Sequence, residues 1–217
     1  MDADISLDRA IDLTRTGDIW IFRGRSGPDR AIRAITNSPV NHVGMSVVIE
    51  DMPPLMWHAE LGRSLPDMWS GKFQRGVQLH DLRDAVCVWA NRYGQRGWLR
   101  QLEPPATTEM EDRALRTVAR LDGTPFPSSA QLAWRWVRGR VPRLRAPWQD
   151  PSSVPEAKLE TAYCAEVVAV TYEEMGLLPP GKQPNWYDPG RFWSGDDLTL
   201  RDGYRLGDEI AVEIPPA

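Results

Sequence analysis

His42-Val-Gly-Met-Ser-Val-Val-Ile-Glu50, then Asp51-Met-Pro-Pro54, then Leu55-Met-Trp-His-Ala-Glu-Leu61 read as a strand, a loop and a returning strand. β-branched and aromatic residues fill both runs, and the paired prolines break the chain between them, which is the signature of a hairpin. Side chains alternate along a strand, so His42, Gly44, Ser46 and Val48 share one face, opposite Val43, Met45, Val47 and Ile49. On the second strand Met56, His58 and Glu60 lie together, opposite Leu55, Trp57, Ala59 and Leu61. Pairing the two runs brings His42 onto the same surface as His58 or Glu60.

Working outward, Ile19-Trp-Ile-Phe22 follows a break at Gly17-Asp18 and reads as a buried strand, with a short helix over residues 3–16 before it. Gly24 to Pro28 is a turn, and Asp29 caps a helix that ends before Ser38-Pro39. Downstream, strands are expected at Val77 to Leu82 and Val86 to Asn91. Thr108 with Glu111 three positions on is a capping-box pattern, and Leu115, Val118 and Leu121 continue it as a helix. Ser128 to Val137 reads as a helix, and Arg140 to Pro155 as an irregular excursion. A helix carrying Cys164 runs to about Met175, where Gly176 ends it, and a last strand is expected at Ile210 to Ile214. The result is an α+β fold in one domain over residues 1–217, an antiparallel sheet or small barrel packed against helices, with a Trp/Arg-rich insert at about 134–155.

The bulk numbers exclude several classes of function. At 217 residues, 41% hydrophobic and 26% charged, the chain makes one sizeable core, and a net charge of −4 gives no footprint for nucleic acid. Two cysteines make neither a disulfide framework nor a four-cysteine zinc site. No apolar run approaches a membrane span, and acids stand near the N-terminus where a secretory signal carries bases, so a cytoplasmic protein with reduced thiols is expected.

Thr161-Ala-Tyr-Cys-Ala-Glu-Val-Val-Ala-Val170 reads as a loop becoming a helix, with Cys164 in the first turn. A thiol there is biased toward thiolate by unpaired amides and the helix dipole. His42, at a strand start beside a loop, is the expected base, with His58 orienting it and Glu60 second in that role. Cys164 is equally readable as a small buried hydrophobe, and a strand histidine as a structural group.

Taken in order, His42-Val-Gly-Met at a strand start, His58-Ala on the next strand and Tyr163-Cys-Ala-Glu-Val-Val opening a helix resemble the circularly permuted NlpC-type papain-like cysteine peptidases. The branch is similar to the YiiX/YebB-like proteins, with lecithin retinol acyltransferase a more distant relative. Gly17-Asp18-Ile19, Ile35-Thr-Asn-Ser38 and Gly123-Thr-Pro-Phe126 also resemble the family's segments, over roughly residues 15 to 180. The resemblance implies Cys164 as nucleophile, His42 as base and His58 as the third polar residue, a position that is acidic in some members, so Glu60 stays an alternative. Glu60 and Tyr163 are the expected substrate contacts. Ala165 departs from the serine that relatives often carry. The implied chemistry is attack of a Cys164 thiolate, paired with His42 as imidazolium, on an amide or ester carbonyl, with the Cys164 amide as one oxyanion donor.

Other features carry less. Cys87, in Ala-Val-Cys-Val-Trp, reads as core, and His80 beside Asp81 as a surface residue. Arg23-Gly-Arg-Ser-Gly27 lacks the lysine of a phosphate loop, and the aspartates lack calcium-loop spacing. Five arginines without an acid between Trp134 and Arg145 suit either a solvated surface or peripheral contact with anionic lipid over 134–148. The leading expectation is an amidase or peptidase, without cofactor or metal, acting on a peptide or cell-wall-derived fragment. The alternatives are a lipid-directed acyl hydrolase or acyltransferase, and a non-catalytic protein holding a small ligand, or zinc on Cys164, His42 and His58. The partner expected is a small-molecule or peptide substrate, with no nucleic acid and with peripheral membrane contact through 134–148 left open.

Overall fold

The computed structural model describes residues 4–24, 38–125, 156–180, 187–194 and 198–216. Nine strands are β1 (Ile5–Ser6), β2 (Ile19–Arg23), β3 (His42–Val47), β4 (Leu55–Glu60), β5 (Gly76–Asp81), β6 (Arg96–Arg100), β7 (Leu102–Glu103), β8 (Arg205–Leu206) and β9 (Ile210–Glu213) among those residues. The helices there are α1 (Leu7–Leu13), α2 (Leu82–Tyr93), α3 (Thr108–Leu121) and α4 (Glu156–Glu174), with a 3₁₀ turn at Pro189–Phe192. Seven strands form one sheet in the order β1-β9-β6-β2-β3-β4-β5, and β7 pairs with β8 apart from it. Every pairing in the large sheet is antiparallel except β1 with β9. The α+β architecture expected from the sequence is the one observed.

The expected hairpin forms, with Met45 opposite Trp57 and Val47 opposite Leu55. Its odd-numbered side chains enter one core with Ile19, Ile21, Leu79 and the apolar face of α4. Trp57 donates its indole N–H to Thr171 Oγ1 on α4 at 3.0 Å, fixing the helix across β3 and β4. The even-numbered side chains face a second core under α2, built from Trp20, Phe22, Met56, Leu82, Val86 and Trp89. Both sheet faces are covered, so each hairpin strand is buried along its whole length. Gly44 packs tightly against the partner strand: a Cβ there would lie 2.4 Å from Met56 Sδ.

Three expectations about elements are corrected. Val86 to Asn91 is not a strand but part of α2, whose buried Leu82, Ala85, Val86 and Trp89 follow helical spacing behind an Asp81 cap. Thr107, not Thr108, caps α3, accepting from the Met110 amide. The N-terminal helix is confined to Leu7–Leu13. The helix placed before Ser38-Pro39, the one at Ser128 to Val137 and most of the Trp/Arg-rich insert lie outside the described residues. No described helix is long and apolar enough to cross a membrane.

Candidate functional site

Strand alternation turns His42, His58 and His80 onto the face under α2, and the register does the rest. In β4 and β5 His58 stands opposite Gln78 and Met56 opposite His80, so the three imidazoles step diagonally across adjacent strands. His42 Nε2 lies 3.2 Å from His58 Nδ1, and His58 Nε2 lies 3.0 Å from His80 Nδ1. His80 Nε2 is 3.2 Å from Gln78 Oε1. The indole of Trp89 stands edge-on to the rings of His42 and His58, with centroids 4.7 and 4.8 Å away, and Phe22 closes on both Trp89 and His42. The expected surface placement of His80 is thereby corrected. It is buried at the far end of a chain that begins at His42.

Gln78 sets the direction of this chain. Its amide nitrogen faces two carbonyls, Gln74 O at 3.1 Å and Gly76 O at 3.5 Å, which only accept. The amide oxygen therefore faces His80, whose Nε2 must donate. A neutral His80 then presents a lone pair at Nδ1, so His58 donates from Nε2, and its own bare Nδ1 receives the Nε2 proton of His42. All three rings carry the proton on Nε2. His42, last in line, keeps its basic lone pair on Nδ1.

Burial enforces neutrality along the chain. Desolvation is the leading cause at each ring, holding His42 down at about 3, His80 at about 4 and His58 well below the ordinary imidazole range. Mutual repulsion among the rings adds to the depression at His42 and His58, whereas Asp67 and the Leu65 carbonyl partly offset it at His80. The expectation of His42 as an imidazolium is corrected: in this environment its resting form is the neutral imidazole.

Glu60 ends β4 and is also buried. Ser64 holds its carboxylate, the hydroxyl on Oε2 and the amide 3.3 Å from Oε1, and Trp89 donates to it as well. Desolvation raises the Glu60 pKa and these bonds partly restore it. Ligand atoms of His58, Glu60 and His80 all lie within 4.8 Å of one another.

Cys164 is placed differently from the expectation. α4 begins at Glu156, so Cys164 is the ninth helical residue rather than part of the first turn. The dipole argument for a lowered thiol pKa fails there, because it falls off beyond the first turn. An amide in a helix interior is committed to the carbonyl four residues back, so it does not serve as an oxyanion donor. Cys164 is fully buried in the core that contains Val43, Met45 and Trp57, and Tyr163 is buried beside it. The structure thus joins His42, His58 and His80 directly, sets Glu60 next to the last two, and places Cys164 with the side chains under α4. Cys87 is half-buried on α2 rather than core, and burial raises its thiol pKa.

The sequence held a signal for the missed residues. In Gly76-Val-Gln-Leu-His-Asp81, Val77 and Leu79 alternate with Gln78 and His80, so the polar pair shares the face opposite the apolar one.

No family model matches the chain, and no curated protein matches it. Among solved structures, it is similar to the metalloprotein yiiX of Escherichia coli O157:H7, described as DUF1105, at 21% identity and a TM-score of 0.47. The match covers 75% of this chain and 66% of that one, so this chain spans just under two thirds of its length.

Proposed function

We propose that the protein is a thiol hydrolase of the permuted papain-like kind, cleaving an amide bond with His42 as base, Cys164 as nucleophile and His58 as the group that orients His42. The observation that carries this reading is the one-way polarity of the imidazole chain, which leaves a neutral His42 with its acceptor nitrogen at the open end. The motifs around His42, His58 and Cys164 support it through their resemblance to that family.

In this mechanism the thiolate is not preformed. The Sγ–H proton passes to His42 Nδ1 as sulfur attacks the carbonyl carbon, forming the C–S bond. His58 Nδ1 accepts from Nε2 of the resulting imidazolium and stabilises it. When the C–N bond breaks, that proton goes to the departing nitrogen. Water, deprotonated by His42 in turn, hydrolyses the thioester. A peptide or a cell-wall-derived fragment is the substrate class proposed, with a cytoplasmic setting. His42 faces the core under α2 and Cys164 the core under α4, so this mechanism requires a rearrangement that brings the thiol to His42, the first residue of β3.

The test is alkylation by iodoacetamide between pH 5 and 9, mapped to each cysteine, in the wild type and in Cys164→Ala and His42→Ala. Cys164 should react faster than Cys87 near neutrality, with the advantage lost in His42→Ala. Loss of that base should cost roughly 10²–10⁴-fold in amide hydrolysis. Native protein in which Cys164 reacts no faster than Cys87 at any pH overturns the proposal.

A further inference from the structure

One ring nitrogen each of His58 and His80 and a carboxylate oxygen of Glu60 come from two neighbouring strands and lie within 4.8 Å of one another, each from a fully or nearly fully buried residue. The two rings face each other through His58 Nε2 and His80 Nδ1. Two imidazole nitrogens bound to one tetrahedral zinc at 2.0–2.1 Å lie about 3.3–3.4 Å apart. The observed 3.0 Å between His58 Nε2 and His80 Nδ1 needs only a small opening to admit an ion. Each group also has the outer partner that a ligand requires. Gln78 Oε1 accepts from the far nitrogen of His80, His42 stands at the far nitrogen of His58, and Ser64 with Trp89 grips Glu60. Two imidazoles and one carboxylate suit a borderline divalent ion, whereas calcium and magnesium take oxygen ligands.

We propose that His58, Glu60 and His80 form a buried site for a divalent ion of the zinc type, and that the ion and the Nε2 proton of His58 compete for the same nitrogen. This set shares only His58 with the Cys164, His42 and His58 ligands considered from the sequence. Occupation has a defined consequence along the chain. With Nε2 of His58 on the metal, its proton resides on Nδ1 and is donated to His42 Nε2. That nitrogen must then be bare, so the His42 proton moves to Nδ1. His80 keeps its proton on Nε2, donated to Gln78. No proton leaves the three rings; two change place. The relocated proton thereby occupies Nδ1, the acceptor that His42 offers as base, so metal loading switches off the activity proposed above. This second consequence rests on that reading, while the site itself does not.

The experiment uses full-length protein stripped with a chelator and titrated with Co²⁺, followed by its visible absorption and by Zn²⁺ competition. One equivalent should bind with a tetrahedral-type spectrum, with affinity reduced at least tenfold in Glu60→Gln and His80→Ala and unchanged in Cys164→Ala. Long-range ¹H–¹⁵N spectra of the zinc-loaded wild type should show Nδ1–H on His42 and His58, a readout that does not depend on the folding of any variant. Absence of stoichiometric binding by the wild type at millimolar Co²⁺ overturns the proposal. So does unchanged affinity in folded Glu60→Gln, or loss of binding in Cys164→Ala. If the metal binds and the protons move while Cys164 stays inert toward iodoacetamide, the ion site stands and the hydrolase reading falls. If Cys164 is activated but no ion binds, the reverse holds.

Discussion

Replacing Gln78 with methionine, similar in length but without an acceptor, removes the one group that sets the direction of the imidazole chain. In the wild type the opposite polarity would turn a lone pair of His80 Nε2 toward Gln78 Oε1 at 3.2 Å, losing that hydrogen bond and leaving two acceptors face to face. The cost of such a buried mismatch is about 1–3 kcal/mol, a bias of roughly 5- to 150-fold toward the observed tautomers. In Gln78→Met the bias weakens and His80 Nε2–H loses its Gln78 acceptor, so stability should fall by about 1–3 kcal/mol. The Leu65 carbonyl beside His80 offers an alternative acceptor, which places the loss toward the lower end. Two assays separate the effects. Urea denaturation reads the stability change, and long-range ¹H–¹⁵N spectra of metal-free protein at pH 7 read the proton on each ring. The wild type should show Nε2–H on all three histidines, and the variant a mixture. With both tautomers populated, His42 presents a bare Nδ1 for only part of the time, so hydrolysis should fall by about twofold at most. A wild type with Nδ1–H on His42 or His80, or a variant with unchanged stability and tautomers, refutes the reasoning.

Further expectations concern packing and pH. Gly44→Ala places a Cβ 2.4 Å from Met56 Sδ and 3.4 Å from His58 Cβ, so overpacking should cost about 1–3 kcal/mol in urea denaturation. Trp57→Phe removes the bond to Thr171, whose hydroxyl still donates to the Val167 carbonyl, so the loss should stay near 1 kcal/mol. Asp122 is pushed up to about 6 from 3.8, mainly by burial and then by Asp67. Its folded pKa is raised, so the stability it supplies is present below pH 4 and lost as pH rises through 6. Asp122→Asn should therefore flatten that part of the urea-stability profile and make the protein relatively more stable at pH 7. The histidines act in the opposite sense. Their folded pKa values are depressed from 6.5, so stability should decline as pH falls below 6.5, at up to about 1.4 kcal/mol per pH unit for each ring. His80→Phe should make that decline shallower, as proton uptake on unfolding would show.

The hairpin was the most legible part of the chain because both of its strands carry period-two alternation and are separated by consecutive prolines. That alternation sufficed to put His42 and His58 on one surface. His80 escaped for a physical reason: which residues of β4 and β5 oppose each other depends on the fifteen-residue connection over 61–75, and nothing local to Leu79-His80-Asp81 fixes that register. Beside an aspartate at a strand end it looked solvent-facing, and only pairing shows it beneath Trp89. α2 was misread because Val86-Cys-Val-Trp89 is rich in strand formers, although Leu82, Ala85, Val86 and Trp89 keep helical spacing. Tertiary packing of that stripe overrides propensity. For Cys164, the end at Gly176 was readable, and its left-handed backbone with φ of 86° explains why glycine stands there. The helix start was missed because Ser153-Val-Pro-Glu156, which has the S-x-x-E pattern of a helix start, was read as part of an irregular excursion, and the thiol's electrostatic setting depends on that start.

The parallel pairing of β1 with β9 joins Ile5 to Val212 and Ser6 to Glu213. On a ribosome Ile5 and Ser6 must wait until the chain has been made through Glu213 before finding their neighbours. The sheet margin is therefore completed last, and a nascent chain halted before β9 leaves both the outer edge of β6 and the β1 segment exposed to association with other molecules. Fusing a stable partner ahead of residue 4 should leave that waiting period unchanged, whereas moving β1 to follow β9 through a short linker should abolish it.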